Sequence, residues 1–193
     1  MGCDIHLYKE KQVNGRWVTA DVWEEYDYGD DDKGIEVSWD NRYTGRNYNL
    51  FGLLSKGVRH DLPFGFAQRG MPYNACKEIA EMSEKWEGDG HSHNYLYLHE
   101  LKDMREFLKT EMIQISGMKD REQLAVLRKS IASGEPNWDL LYPYCQWASM
   151  DNYEEFEIDV PACFIVGDGL DEIISSFDGV DGDNHRIVFF FDN

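Results

Sequence analysis

Asp4 and His6 stand two residues apart in the opening segment CDIHLY, and His91 and His93 repeat that spacing in DGHSH. On an extended chain, side chains at i and i+2 leave the same face, so each pair can reach one point. Carboxylate and imidazole both ligate divalent cations. A catalytic zinc or manganese site uses about three such groups plus a water. Asp4, His6, His91 and His93 are therefore candidate metal ligands, and the enzyme they describe is a metal-dependent hydrolase with a metal-bound water as nucleophile. The plainer reading places His91 and His93 in a glycine-flanked loop ahead of a helix, where their nitrogens satisfy backbone groups. D-x-H and H-x-H are short patterns with many chance matches.

A second constellation is one of charge. The 193 residues hold 19 Lys+Arg against 37 Asp+Glu, a net charge of −18. Such a balance disfavours sequence-independent binding to nucleic acid, which needs a basic face. Yet residues 42–69 carry Arg42, Arg46, Lys56, Arg59 and Arg69 against Asp61 alone. Arginine forks suit phosphate and carboxylate, and glycine-rich loops can turn backbone amides toward an anion. The competing reading is that these arginines neutralise the acidic surface of their own protein.

Other chemistry has less support. Cys3, Cys76, Cys145 and Cys163 include no C-x-x-C pair, which speaks against a zinc knuckle and for reduced thiols. Cys3 and His6, three apart on a strand, face opposite ways. No G-x-S-x-G elbow or phosphate-binding glycine loop is present. Tyr142, Tyr144, Trp147 and Tyr153 gather around Pro143. They suit core packing or a protein surface better than stacking on a base. The N-terminal segment matches neither a signal peptide nor a myristoylation signal.

These residues must be positioned by the elements around them. Asn14-Gly15 lies between two strand-like runs, 3–10 and 16–26, and marks a hairpin. A solvated Asp-rich loop follows, then a short strand near 35–39. Helices are expected at 47–56, 75–86, 98–115 and 121–133. The last of these has Asp120 and Gln123 as a capping-box pattern and Gly134 at its end. Residues 57–73 read as a long ordered loop. VPACFIV (160–166) and RIVFFF (186–191) read as buried central strands. The length and the absence of a linker or repeat argue one domain over 1–193. The element order argues α+β: a mainly antiparallel sheet with an N-terminal hairpin and a central C-terminal strand, packed with three or four helices. No run of about 18 apolar residues is available to cross a membrane.

Taken together, MGCDIHLY, RNYNLFGLL with GVRH, RGMP, DGHSHNYLYLHEL and RIVFFFDN resemble a family of uncharacterised proteins from tailed bacteriophages and prophages, in blocks over the whole chain. The resemblance implies a small protein of the infected bacterial cytoplasm and brings no catalytic role with it. The positions that match are Asp4, His6, Arg46, His91, Ser92, His93, Arg186 and Asp192. The chain departs from the family at Tyr97, where Thr usually caps the helix with Glu100, and at Phe190, often Trp.

The leading functional expectation is a binder of an anionic, nucleotide-like small molecule in host–phage interaction. Its ligand-binding residues are Arg46, Arg59, Asp4, His6, His91, His93 and Arg186. The metal-dependent hydrolase is the second reading, so whether the chain is an enzyme stays open. The third is an acidic interaction protein that blocks a basic host partner.

Overall fold

The computed structural model describes residues 2–27, 29, 33–86, 88–142, 151–177, 179–180 and 182–193. In chain order the elements are β1 (Asp4–Val13), β2 (Arg16–Thr19), β3 (Trp23–Asp27), β4 (Lys33–Val37), α1 (Tyr48–Leu54), α2 (Lys77–Lys85), β5 (His91–Tyr97) and α3 (Leu98–Thr110). They continue with β6 (Met112–Asp120), α4 (Arg121–Ala132), β7 (Tyr153–Pro161), α5 (Ala162–Val166), α6 (Gly169–Ser175) and β8 (His185–Asp192). The architecture is α+β, as expected, with antiparallel sheets throughout. Two compact units divide the chain: Met1–Arg105 with Val166–Asn193, and Glu106–Ile165. Among the described residues no helix is long and apolar enough to cross a membrane.

The first unit is built on a four-stranded sheet ordered β2-β1-β8-β5. The C-terminal strand is central, as its apolar run implied, and Ile187 through Phe191 are fully buried. Asn14 (φ 51°) and Gly15 (φ 77°) make the β1–β2 turn, because a two-residue hairpin needs left-handed backbone at both positions. The second strand stops at Thr19 instead of running to Tyr26. There Asp21 Oδ2 accepts the Lys9 N–H at 2.6 Å, and the Thr19 hydroxyl accepts from Asp21 N and from Trp23 Nε1. Side chains thus take over the ladder, and Trp23–Asp27 pairs with β4 in a separate ribbon.

Strand alternation divides the sheet's side chains between two faces. On one, Tyr8, Val188 and Phe190 pack with Val37, Cys76 and Ile79 of α2. On the other, Phe191 meets Phe51 of α1, ring centroids 5.1 Å apart. Asn47 caps α1 by accepting from Asn49 N and Leu50 N. The long breaker-rich loop after α1 is ordered, as its composition suggested. It is held by Lys56 N to Phe66 O, Phe66 N to Leu53 O, and the fully buried amide of Asn94, which donates to Leu54 O and Ala67 O.

In the second unit β6 and β7 form a two-stranded ribbon along nine register pairs. Leu124 and Leu127 of α4 pack with Phe156 and Val160 of that ribbon. Asp120 caps α4 by accepting from Glu122 N and Gln123 N, and Gly134 follows it at φ 81°.

Two expectations are corrected here. The apolar stripe over 98–115 is helical only to Thr110, and Met112 and Ile115 belong to β6. The long pairing with β7 outweighs helical spacing, and β-branched Ile113 and Ile115 favour it. The run at 160–166 is a strand only to Pro161, which has no N–H for the ladder. Residues Ala162–Val166 then turn helical, and a short apolar run does not distinguish the two states. Of the aromatic group around Pro143, residues 143–150 lie outside the described residues, as does Cys145. Tyr142 packs on Phe164 at 5.1 Å. Cys3, Cys76 and Cys163 are free thiols.

Candidate functional site

The site is assembled where the start of β1 meets the end of β8. Asp4 pairs with Asp192 in the ladder, and His6 with Phe190. The Asp4 N–H donates to Asp192 Oδ1 at 3.1 Å, and His6 Nε2 lies 3.3 Å from Asp192 Oδ2. Arg46, in the segment before α1, forks onto Asp4, with Nε 2.7 Å from Oδ1 and Nη2 2.6 Å from Oδ2. Arg59, from the loop after α1, donates from Nη2 to Gly2 O and to Asn193 Oδ1, both at 2.6 Å. Its guanidinium also lies over the Tyr48 ring, 5.6 Å from the centroid.

Both arginines converge on Gly2, since a Cβ there would stand 3.2 Å from Arg46 Nη1. Arg59 reaches this position with a left-handed backbone, φ 60°. That conformation costs a non-glycine residue roughly 1–2 kcal/mol. Outliers of this kind concentrate at functional sites.

The charge balance of the cluster separates the two arginines. Asp4 compensates Arg46. Elsewhere in the basic stretch Arg42 pairs with Glu36 at 3.0 Å and Arg69 with Glu100 at 2.6 Å. Much of the local surplus is therefore neutralised by acids from outside the stretch. Arg59 differs, because both of its hydrogen-bond acceptors are neutral oxygens.

The histidine pair is not arranged as its spacing suggested. His91 and His93 lie on β5, not in a loop, and they do not share a face. The ladder is irregular between His91 and Asn94, and Ser92 has φ 53°. This break puts His93 over Phe190 (5.0 Å between centroids) and His91 over Phe191 (6.1 Å), which point to opposite sides of the sheet. His93 Nε2 meets Ser83 Oγ at 2.8 Å. Burial, with His91 nearby, holds His93 below the ordinary imidazole range. His91 Nε2 is buried with no hydrogen-bond partner among the described residues.

On one face His6, Phe190 and His93 form a stacked row across three strands, and Trp86 closes on His6 at 4.3 Å. The four proposed ligands therefore do not converge: Phe190 separates His6 from His93, His91 is on the reverse face, and Arg46 holds Asp4. Among the described residues no group of three or more His, Cys, Asp or Glu is placed to hold a metal ion.

Arg186 is also removed from the site. Asp192 and Arg186 sit at opposite ends of β8, and Arg186 is 1% exposed. Its Nε donates to Glu10 Oε2 at 2.5 Å, while Glu10 Oε1 accepts from Cys76 N. Trp17 and Tyr95 cover its guanidinium, at 4.0 and 5.4 Å. It is a core residue, at the far end of β8 from that cluster.

Of the expected set, the structure thus gathers Asp4, His6, Arg46 and Arg59 and leaves out His91, His93 and Arg186. Tyr48 and Asn193 join the cluster without any signal in the sequence, because their proximity depends on how β8 and the loop return to β1. Chemically, the His6–Asp192 pair can hold and pass a proton, and the two guanidinium groups can hold an anion. Comparison with known proteins adds no relative: no family model, curated protein or solved structure matches the chain.

Proposed function

We propose that the first unit binds an anionic small molecule of nucleotide-like chemistry at the β1–β8 end, with Arg59 as the principal anchor. The observation behind this reading is the convergence of Arg59 and Arg46 on Gly2, with Arg59 compensated only by neutral acceptors. Asp4 occupies the Arg46 fork as an internal anion. A phosphate or carboxylate would take its place, since bidentate recognition is what that fork offers. Tyr48 offers a ring beside Arg59, and His6 with Asp192 offers a proton-carrying edge. The resemblance to phage proteins adds a setting, the cytoplasm of an infected bacterium, where an anionic signalling molecule is a fitting ligand.

Thermal-shift and calorimetric titrations against nucleotides and cyclic nucleotides test this reading. At least one is expected to stabilise the protein. Arg59→Ala should weaken that ligand by roughly tenfold or more, the worth of a charged hydrogen bond. Asp4→Asn should tighten it by releasing Arg46. Absence of stabilisation by any of these ligands, or tight binding retained in Arg59→Ala, would defeat the proposal.

One observation favours a second reading for the other unit. Glu155, Glu157 and Asp159 are exposed at alternate positions of β7, about 6.7 Å apart along the strand. Such a stripe suits a basic protein partner. Salt-sensitive binding of an oligolysine peptide, lost when the three are replaced by Gln, is the expected behaviour.

A further inference from the structure

We propose that a separate cleft of the first unit, about 470 Å³ in volume and formed by residues 40–45 over β1 and α6, binds a zwitterionic small molecule of the amino-acid class. The volume falls in the usual range for small-ligand sites. Leu7 and Ile173 supply apolar wall, and the charged groups divide into two sets.

The first set is cationic and deep. Lys9 is 7% exposed and lines the cleft. Its ammonium lies 3.3 Å from the Ser176 carbonyl oxygen and 3.4 Å from Asp21 Oδ1. Both are long for charge-assisted hydrogen bonds, which run at about 2.7–2.9 Å. Asp21 Oδ1 is itself buried without a hydrogen bond, and burial pushes its carboxyl upward in pKa, against the pull of Lys9. A desolvated ammonium so weakly satisfied is receptive to a carboxylate. Arg42 lines the same cleft with its charge already met by Glu36 at 3.0 Å, which leaves Lys9 as the cation of this set.

The second set is anionic and outer. Asp40 and Glu172 are exposed on the lining, and neither carboxylate has an ion-pair partner among the described residues. Tyr43 lines the cleft as well. A Cβ on Gly169 would stand 2.6 Å from its hydroxyl, and one on Gly45 would collide with it. The two glycines therefore make room for the phenol. Burial, and Glu172 nearby, push it up to about 12, so it stays a hydrogen-bond donor at neutral pH. A ligand bearing only an anion would meet Asp40 and Glu172, and one bearing only a cation would meet the Lys9 ammonium. A molecule with both charges satisfies both sets.

The test is calorimetric titration of the protein with the free proteinogenic amino acids. Amino-acid amides and N-acetyl amino acids serve as controls that each lack one charge. At least one free amino acid should bind, and its two blocked analogues should bind at least about tenfold more weakly. Glu172→Gln and Tyr43→Phe alter polar atoms only and should each weaken it, whereas Arg59→Ala, at the other site, should leave it unchanged. Lys9→Met should abolish binding; if that variant fails to fold, Glu172→Gln and Tyr43→Phe decide. No saturable binding of any free amino acid overturns the proposal, as does equal binding of the blocked analogues or indifference to both of those variants.

Discussion

At the scale of single residues, Arg186 shows how chemistry that attracts attention in a sequence can belong to the core. A buried ion pair offsets a large desolvation penalty only while both partners remain. Glu10 is 0% exposed and bridges Arg186 to the Cys76 amide. Glu10→Ala should therefore lower stability by about 3–5 kcal/mol, read from urea denaturation, while replacing both partners by Met should recover only part of it, because the Cys76 N–H still lacks its acceptor. Recovery of nothing would show that the pair does more than satisfy itself. The histidines make a second prediction at this scale. Burial lowers both His93 and His185 from 6.5. The unfolded chain therefore binds protons first as pH falls. Their contribution is present above that pH and is lost below it, as pH drops toward the folded-state values. Urea midpoints should decline through this window, and His93→Gln should flatten the decline. An unaltered slope would assign it to other groups.

At the scale of elements, the loop after α1 matters because it carries Arg59. It crosses α1 at Gly52, where a Cβ would collide with the His60 carbonyl oxygen. Glycine inside a helix ordinarily costs about 1 kcal/mol relative to alanine, yet here the close approach requires it. Gly52→Ala should destabilise by about 1–3 kcal/mol, as overpacking does, and should also weaken anion binding by shifting the backbone beside Arg59. A stabilised variant with unchanged binding would remove this role from the crossing. The same elements show what was legible in the sequence. Asn14-Gly15, Asp120 with Gly134 and the run RIVFFF each act through local rules, and each forms as read. Tyr97 lacks the capping side chain, but its N–H still donates to Glu100 Oε2 at 2.9 Å, and the helix begins at Leu98. Around 112–115 and 162–166 the local pattern points to the wrong state, because a pairing partner, or a proline at the strand's end, decides the outcome. The candidate site was legible where it lies on one strand, as with Asp4 and His6. It was illegible at His91, because a break at Ser92 reverses the face on which a side chain emerges.

At the scale of the whole molecule, the net charge of −18 and the arginine cluster would act on the proposed anionic ligand over different ranges. Arg59 acts at hydrogen-bond distance, where salt screens little. The surplus of 37 acidic over 19 basic residues acts over the Debye length, which is about 30 Å at 0.01 M and about 8 Å at 0.15 M ionic strength. At the lower salt a mononucleotide feels the repulsion of most of the chain. At the higher salt it would feel chiefly the two guanidinium groups with Asp4 and Asp192 beside them. Raising the salt further lets its own anions compete for Arg59. The affinity for a mononucleotide should therefore pass through a maximum near physiological ionic strength instead of falling steadily. Duplex DNA, whose binding rests on many simultaneous phosphate contacts with a basic face, should not bind at any point of the series. Titrations in graded sodium chloride measure both. A steady fall in mononucleotide affinity from the lowest salt upward would place the site in a locally positive field strong enough to hide the rest of the molecule. Net charge would then lose the role given to it here.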